Sequence, residues 1–554
     1  CEVMSVLNEN TIIGASAAGG YTIDNSLRFN DDDSAYLSRT PASAGNRKTW
    51  TWSGWVKRGN LGSERHITSA GTTNNTEPRG FLSFDAANTL SFGFNDGTSW
   101  FIASTTAVFR DTSAWYHVLI KCDLANTAVS IYVNNSVQNT NAVSWPNADQ
   151  VFNNSIEHRI GRQYGVSVNY LDGYLSEVNF IDGLALTPDS FGEFGDYGEW
   201  KPLKYTGAYG TNGFYLDFKD SGSLGNDAAG SNNWTPTNLA ATDQMLDSPT
   251  NNFCTLNPID PDTTATLSEG NLVSVSGNAR VTIRPTSGQW YYEKDDVGVD
   301  YDADVSGEFN PLLAAGTYNF GQSPFVDTQT SGYLALCTQN LPEPTVIPSE
   351  HFNTVLDTGA NIKATAEALF TTQLTWIKDR ANAASHQLVD SVRGSTAKLS
   401  SDSTAIEGTY AAPTGNSVAW NWKANGTGVS NTDGTITSTV SANVDAGFSI
   451  VSYTGNSVVG ATVGHGLSKA PEMIVCKGRT VAQNWLVYRP EIGNSNILLL
   501  NGTSAAFADG AWNSTTPSST VFTVNNGQGV NESPYTYISY AFHSVDGYSK
   551  VGSY

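Results

Sequence analysis

Acidic side chains at two places in the sequence have the chemistry to bind a hard cation. Asp31, Asp32 and Asp33 follow Asn30, and Asp172 stands far downstream. Calcium in proteins takes about six to eight oxygen ligands, many of them carboxylates. The D-x-D-x-D-G loop pattern is absent, however, and a run of Asp in a turn is more often a solvated segment. Solvated acidic loops are therefore the favoured interpretation: the sequence predicts no cofactor, and calcium is the one metal it suggests.

Carboxylate pairs and nucleophiles would indicate an enzyme. Glycoside hydrolysis needs two carboxylates that face one cleft, about 5–10 Å apart. Glu193, Asp196 and Glu199 are three residues apart, which is wrong for one strand face, and they lie among glycines typical of a loop. The histidines show no paired zinc spacing, and G-x-S-x-G and phosphate-loop motifs are absent. The sequence thus predicts no catalytic residue and a protein that is not an enzyme.

Aromatic side chains could bind sugars instead of reacting with them. Trp50 and Trp52 share one face of a strand, and large side chains inside a sandwich are more often core than ligand platforms. Trp55 points the other way, and together with Trp485 it is the predicted exposed aromatic. Beyond these two tryptophans, the residues of a ligand-binding site stay unknown.

The cysteines do not form a disulfide framework, because they are far apart and odd in number. Two of them lie in apolar strand segments and are predicted to be buried free thiols. The first could bear the lipid of a processed lipoprotein, although an arbitrary sequence start is favoured because Met4 could begin translation. The five are Cys1, Cys122, Cys254, Cys337 and Cys476.

Charge and composition exclude several classes of partner. The net charge is −23, with charged residues only 15% of the chain and no basic stripe. Phosphate binding needs such a stripe, so nucleic acid and anionic membrane surfaces are disfavoured as partners. No run of 18 apolar residues exists, which argues against membrane insertion. With 554 residues and 52 glycines between many short apolar runs, the chain is expected to be all-β and multi-domain.

The stretch from 115 to 187 gives the clearest strand pattern. Residues 115–122 read W-Y-H-V-L-I-K-C, and residues 129–133 alternate between apolar and other side chains. This period of two predicts strands with one face on a core. Asn134 and Asn135 follow, and Asn tolerates the positive φ of a tight hairpin turn. A further strand is predicted at 173–183, where it closes on Asp-Gly.

Four of these segments resemble the laminin-G-like, concanavalin-type jelly roll. They are W-Y-H-V at 115–118, S-I-Y-V-N-N at 130–135, I-G-R at 160–162 and D-G-Y-L-S-E-V-N-F at 172–180. The resemblance covers about residues 21–200 and implies an antiparallel sandwich. It does not specify a function, since such sandwiches serve as lectins, adhesion modules and enzyme appendages. Residues 287–294 also resemble the opening strand of a SPRY-type sandwich.

The C-terminal part contains an internal repeat. The pattern F-x-x-V-x-x-T-G occurs at 352–359 and at 448–455, an offset of 96. Residues 377–380 match 476–479, residues 388–389 match 486–487, and each copy ends on an aromatic alternating strand, at 418–422 and 538–542. We expect both copies to have the same strand order, with Phe352 and Phe448 in equivalent core positions. The segment 506–531 of the second copy is expected to be a surface insertion.

Together these patterns predict an all-β, multi-domain chain in which a laminin-G-like jelly-roll sandwich is followed by a degenerate SPRY-like sandwich and two tandem β-sandwich repeats. The predicted segments are an N-terminal arm at 1–20, the jelly roll at 21–200, a degenerate second concanavalin/SPRY-like sandwich at 201–350, β-repeats at 351–440 and 441–547, and the start of a further repeat or tail at 548–554.

The order of these parts resembles tail-fibre and virion-surface proteins of marine bacteriophages. The resemblance is carried by the jelly roll after I-I-G-A-S-A-A-G-G and by tandem copies that end on strands such as V-A-W-N-W-K-A. It implies a virion structural protein, a tail or surface fibre on an extracellular particle, which attaches to the host by binding cell-surface glycan. Its partners would be other virion proteins, and a homo-oligomer, with a trimer favoured, is expected. The alternative is a secreted or lipid-anchored carbohydrate-binding adhesin of a bacterium.

Overall fold

The computed structural model describes residues 20–71, 78–165, 168–195, 197–260, 262–342, 346–371 and 373–552. Cys1 and all but Gly20 of the predicted N-terminal arm lie outside these ranges. The chain divides into two compact units, residues 1–195 with 199–343 and residues 196–198 with 344–554. No helix in the described ranges is long and apolar enough to cross a membrane.

The N-terminal unit begins with a large antiparallel sandwich. Its strands, with a separate hairpin of β13 and β14 between β12 and β15, are β1 (Ser26–Phe29), β2 (Tyr36–Arg39), β3 (Thr49–Arg58), β4 (Arg65–Gly71), β5 (Arg79–Phe84), β6 (Thr89–Asn95), β7 (Trp100–Val108), β8 (Trp115–Asp123), β9 (Ala128–Val133), β10 (Ser136–Val137), β11 (His158–Ile160), β12 (Gly173–Asp182), β13 (Gly192–Phe194), β14 (Trp200–Pro202), β15 (Phe214–Leu216), β16 (Thr235–Thr237) and β17 (Gln244–Met245).

Two sheets form this sandwich. Sheet 1 has the order β10-β9-β8-β3-β12-β1-β17, with β15 also paired to β12, and sheet 2 has the order β16-β2-β11-β4-β5-β6-β7. Strands β15, β16 and β17 lie beyond the predicted domain boundary at residue 200, so the sandwich continues to Met245. The reason is that β1, β2 and β12 offer ladder positions that these late strands fill.

The predicted strands at 115–122, 129–133 and 173–183 are confirmed as β8, β9 and β12. Asn134 and Asn135 have φ of 46° and 65°, as expected for the hairpin between β9 and β10. Trp50 and Trp52 are 1% and 3% exposed and lie in the core between the sheets, which confirms their predicted place. Period-two alternation therefore predicted the inner face of this sandwich correctly.

The rest of the N-terminal unit is a smaller β region with its own core around Trp290, Tyr318 and Phe320. A sheet of order β19-β20-β24-β22-β23, with β25 paired to β22, carries most of it, and β18 pairs with β21. The elements are β18 (Leu256–Asn257), β19 (Thr266–Ser268), β20 (Val273–Ser276), β21 (Arg280–Val281), β22 (Gln289–Lys294), β23 (Val297–Asp302), α1 (Ala303–Ser306), β24 (Gly316–Asn319) and β25 (Leu334–Ala335).

The C-terminal unit contains both repeats. The first repeat comprises α2 (Pro348–His351), β26 (Phe352–Thr358), α3 (Ile362–Glu367), β27 (Gln373–Asp379), β28 (Gln387–Asp390), β29 (Gly394–Leu399), β30 (Gly408–Thr409) and β31 (Asn416–Lys423). The second comprises β32 (Val429–Asn431), β33 (Ser438–Asn443), β34 (Phe448–Thr454), β35 (Ala461–Gly464), β36 (Met473–Gly478), β37 (Leu486–Tyr488), β38 (Asn496–Leu499), β39 (Phe507–Ala508), β40 (Val521–Val524) and β41 (Thr536–Phe542).

Each repeat forms one sheet, and the two sheets share a strand order. The first runs β26-β31-β27-β28-β29-β30, and the second runs β34-β41-β36-β37-β38-β39, with β33 and β32 added beside β34. Phe352 pairs with Trp422, as Phe448 pairs with Phe542, so the two positions are equivalent. The predicted core position is correct for Phe448, which is 1% exposed, but wrong for Phe352, which is half-buried because β26 is an edge strand. In both sheets the last strand in sequence lies inside the sheet: β31 lies between β26 and β27, and β41 lies between β34 and β36.

The strand pairings also correct one of the sequence matches. Ile377 pairs with Gln387, and its counterpart Cys476 pairs with Leu486. Gln387 is therefore equivalent to Leu486, and the predicted match of Leu388 to Leu486 is displaced by one residue. The predicted match followed a Leu-Val pair that occurs in both strands, with an offset of 98. The strand pairings instead require the offset of 99 that relates Ile377 to Cys476.

The two repeat sheets pack against each other through equivalent faces. Leu374 and Leu388 of the first share a core with Phe448, Ile450 and Trp485 of the second. On the other side of the first sheet, α3 covers a small core. On the other side of the second sheet, β35 and β40 form a two-stranded sheet that covers a larger core.

The predicted surface insertion at 506–531 is wrong in part. Trp512 and Phe522 of this segment are 1% and 0% exposed, because they fill the outer core of the second repeat. The segment is rich in Ser, Thr, Gly and Asn, but its two large aromatics and strand β40 place it under the sheet rather than on the surface.

Candidate functional site

The outer face of sheet 2 carries a row of large side chains that the core does not use. Strand β5 shows the alternation: Leu82 and Phe84 lie in the sandwich core, so Phe81 and Arg79 point to the opposite face. In β7 the buried Ala103 likewise leaves its neighbour Ile102 on the outer face. The sheet thus presents apolar and charged groups to solvent on a rigid scaffold.

The ladder brings residues from four strands into one line. Ser69 of β4 pairs with Phe81 of β5, Phe81 with Gly93 of β6, and Gly93 with Ile102 of β7. Gly93 has no side chain, and a Cβ built on it would lie 2.8 Å from Ile102 Cγ1. The absence of a side chain at Gly93 allows Ile102 to lean over the sheet toward Phe81.

A cleft of about 230 Å³ opens on this face. Its volume is below the range of roughly 300–1,000 Å³ typical of small-molecule pockets, which suits a small ligand or the end of a longer chain. One wall comes from the segment after β11, where the Tyr164 ring lies 2.7 Å from the position that a Cβ on Gly71 would take. The lining residues are Glu64, His66, Ser69, Arg79, Gly80, Phe81, Trp100, Ile102, Gln163 and Tyr164.

Three rings cross the cleft in sequence along the sheet. The His66 and Phe81 ring centroids are 5.5 Å apart, and those of Phe81 and Trp100 are 5.9 Å apart. Trp100 is 38% exposed, whereas Phe81 is half-buried and His66 is buried. The Arg79 guanidinium carbon lies 5.1 Å from the Trp100 ring centroid, a cation–π distance that holds the indole in place.

Polar groups lie beside these rings. His66 Nε2 is 2.9 Å from Glu64 Oε1, and Asn169 Nδ2 donates to Glu64 Oε2 at 3.0 Å. The hydrogen bond with His66 lowers the pKa of the Glu64 carboxyl, so a carboxylate stands at the rim. His66 Nδ1 is buried and has no hydrogen-bond partner among the described residues. The site combines an apolar stacking surface with hydrogen-bonding groups, as saccharides require with their apolar ring faces and polar edges.

Two of the carboxylates that were weighed as calcium ligands, Asp31 and Asp172, have protein partners. Asp31 forms an ion pair with Arg65 at 2.7 Å. Asp172 is buried and accepts from the backbone N–H groups of Asn60 and Gly270 at 2.7 and 3.2 Å. Burial raises the pKa of Asp172 to about 7. In the part of the chain that the structure describes, no group of three or more His, Cys, Asp or Glu side chains is placed to hold a metal ion.

The predicted exposure of Trp55 and Trp485 is wrong: they are 4% and 0% exposed. Trp55 does point away from the core between the two sheets, as alternation predicts. On the opposite face of sheet 1, however, it packs with Trp115, Tyr174 and Met245. Sheet 1 is covered on both faces, because residues beyond 200 return across it. These two tryptophans therefore no longer support the alternative of a bacterial adhesin.

Arg79, Phe81 and Trp100 were not predicted from the sequence as site residues. The signal was present, since Arg79, Phe81 and Ser83 alternate with the buried residues of β5, and Trp100 and Ile102 are the exposed alternate positions at the start of β7. Neither strand resembled a known motif, so neither was singled out.

The cysteine thiols of the described residues do not form a candidate site. Cys122, Cys254, Cys337 and Cys476 are buried and unpaired, as predicted for Cys122 and Cys476. Burial raises the pKa of each thiol, which keeps it protonated and unreactive.

Comparison with protein families agrees with the sandwich. Residues 30–190 match the model of the concanavalin A-like lectin/glucanases superfamily. The N-terminal domain is laminin G-like. Residues 347–414 and 407–554, which together span both repeats, match a domain of unknown function (DUF7483). No curated protein is significantly similar in sequence to the chain.

Several solved structures are similar to this chain at low identity and low TM-score. A Bacteroides ovatus protein described as carbohydrate binding is 20% identical, with a TM-score of 0.30, and the match covers 39% of this chain and 59% of that one. The CBM40 of a Ruminococcus gnavus sialidase is 14% identical, with a TM-score of 0.22, over 27% of this chain and 90% of that one. Domains LG4-5 of the mouse laminin alpha1 chain are 8% identical, with a TM-score of 0.24, over 95% and 84%. Two of these neighbours are thus named as carbohydrate binders, and the likeness concerns the fold alone.

Proposed function

We propose that the chain is a glycan-binding protein of a particle surface and that the laminin G-like domain holds the saccharide in the cleft on sheet 2. The observation that carries this proposal is the row His66, Phe81 and Trp100, in which the exposed indole is fixed by Arg79. Rigid aromatic surface beside hydrogen-bonding groups gives affinity at low entropic cost.

The experiment is glycan-array binding of the full chain, followed by calorimetry with the best saccharide. Trp100→Ala should weaken binding about ten-fold, as expected when an aromatic contact of about 1–2 kcal/mol is removed. Phe194→Ala is the matched control, because Phe194 is 61% exposed in the same unit but lies outside the cleft lining. Equal binding by wild type and Trp100→Ala would refute the site.

The proposal includes binding without cleavage. Among the described residues that line the cleft, Glu64 is the one carboxylate, whereas glycoside hydrolysis uses two. Incubation of the bound polysaccharide with the protein should release no new reducing ends. Release of sugar that Glu64→Gln abolishes would instead make the domain a hydrolase.

The finer part of the proposal is a fibre on a bacteriophage virion that attaches to host glycan. Its support is the sequence resemblance, in which a laminin G-like domain precedes tandem repeats. Mass spectrometry of purified particles should find the chain among the virion proteins. Purified wild-type protein should also compete with particles for host cells, while Trp100→Ala should compete less.

A further inference from the structure

Strand β26 leaves one edge of the first repeat sheet open. It pairs with β31 on one side, and no strand of the described residues pairs with it on the other. The strand has seven residues, whereas the other edges of the two repeat sheets, β30, β32 and β39, have two or three. Short edge strands are one way in which proteins prevent unwanted pairing, and β26 lacks this protection.

The equivalent strand of the second repeat has both a paired edge and a buried face. Strand β34 pairs with β33 as well as with β41. Its residues Phe448 and Ile450 are 1% and 0% exposed against the first repeat sheet. The same positions in β26 are Phe352, which is half-buried, and Thr354, which is exposed, and Leu356 further along is 64% exposed.

The open edge is continuous with the interface between the two repeats. Phe352 packs on Trp422 with ring centroids 5.0 Å apart, and Trp422 contacts Phe542 of the second repeat at 6.4 Å. Trp420 and Trp376 pair across the strands and are also half-buried on this face. An apolar surface that begins inside one sheet interface thus extends to an unpaired strand.

The sequence of β26 contains no device that blocks pairing. It reads F-N-T-V-L-D-T, with no Pro, no Lys and one acidic residue. Charged residues and prolines are the usual guards of an exposed edge. An exposed leucine beside unpaired backbone groups is therefore a surface suited to another strand.

We propose that β26 pairs edge-to-edge with β26 of a second copy of this chain. We choose a second copy as the partner because, in the second repeat, the strand and the sheet that cover the equivalent strand β34 both belong to the repeats. Antiparallel pairing of a strand with its own copy has two-fold symmetry, so each Leu356 meets the same surface that it offers. This pairing differs from the three-fold assembly that the resemblance to fibres favours.

The test is the mass of the full chain in solution, measured by light scattering over a dilution series. The wild type should have about twice the chain mass of 59.2 kDa. Leu356→Lys should raise the dissociation constant about ten-fold or more, because a charged side chain on an edge strand opposes pairing. The double variant Thr354→Lys with Leu356→Lys should be a single chain at the same concentration.

Val429→Lys is the matched control, since Val429 is 70% exposed on the short edge strand β32. It should stay a dimer, as should Trp100→Ala, whose change lies in the glycan cleft. All variants should keep the wild-type circular dichroism spectrum, because the changed side chains are exposed. A wild-type monomer or trimer, or a Leu356→Lys dimer of unchanged affinity, would overturn the proposal.

Discussion

Arg79 lies over the exposed ring of Trp100, with its guanidinium carbon 5.1 Å from the ring centroid. The contact joins the first strand position of β5 to the first of β7 across the intervening β6. It fixes Trp100, which is the most exposed of the three rings that cross the cleft.

Replacement of Arg79 should weaken glycan binding without unfolding the domain. A cation–π contact at an exposed site is worth about 0.5–1 kcal/mol, so Arg79→Ala should lower affinity roughly two- to five-fold. Arg79→Lys should recover little, because a lysine does not stack its charge flat on the ring. Calorimetry measures the affinity, and tryptophan fluorescence reports the freed indole. A larger loss in Arg79→Lys than in Arg79→Ala would contradict this role.

Loss of Lys57 should strongly destabilise the N-terminal unit. Lys57 Nζ donates to Asp247 Oδ2 at 2.7 Å, and both side chains are 1% exposed. Lys57→Met leaves a buried carboxylate without its cation, a change that costs about 3–5 kcal/mol. Calorimetric melting measures the shift. The double variant with Asp247→Asn should recover part of the loss, and no recovery would show that the stem of Lys57, rather than the ion pair, matters.

The stability of the N-terminal unit should fall as the pH rises from about 4.5 to about 7. Burial raises the pKa of Glu177 from 4.5 to about 7, although the Tyr21 and Tyr215 hydroxyls donate to its carboxylate. Since the folded state binds this proton more tightly than the unfolded state, the contribution of Glu177 to stability is fully present below about 4.5 and is lost as the pH rises toward 7. Glu177→Gln should reduce this slope in melting curves between pH 4.5 and 7. The control Glu193→Gln, which changes an exposed side chain, should leave the slope unchanged. In Glu177→Gln part of the slope should remain, because the pKa of Asp172 is also raised.

Tyr540→Phe should loosen the contact between the repeats. The Tyr540 hydroxyl donates to Asp390 Oδ2 at 2.7 Å, and Arg393 Nε donates to the same oxygen at 2.5 Å. Removal of one buried donor costs about 1–2 kcal/mol, since Arg393 still satisfies the carboxylate. Melting of the C-terminal unit should shift down, whereas Tyr535→Phe, which changes a half-buried ring outside this pair, should have little effect. Equal shifts in both variants would refute the assignment.

The features that could be predicted from the sequence are those that depend on the local alternation of apolar and polar side chains. Trp50 and Trp52 were placed in the core because period two fixes which side chains share a face. The repeat at Phe352 and Phe448 predicted one strand order for two sheets, because a similar pattern of apolar positions needs similar neighbours.

What the sequence did not reveal depends on pairing between distant segments. Trp55 is buried because residues beyond 200 cover sheet 1, which no local pattern around Trp55 indicates. The cleft needs β4, β5, β6 and β7 side by side, and Ser69, Phe81 and Ile102 meet only through that register. Open edges and covered edges are likewise indistinguishable until the neighbours of a strand are known.

The position of the last strand of each repeat matters when the chain is made on the ribosome. Strands β31 and β41 are the final strands of their repeats, yet each lies between two earlier strands of its sheet. Until that strand leaves the exit tunnel, β26 has no partner strand, and β34 is paired with β33 but not with the strands that follow it. Each sheet must therefore close in one late step, and a chain interrupted before Thr536 would lack a centre rather than an edge.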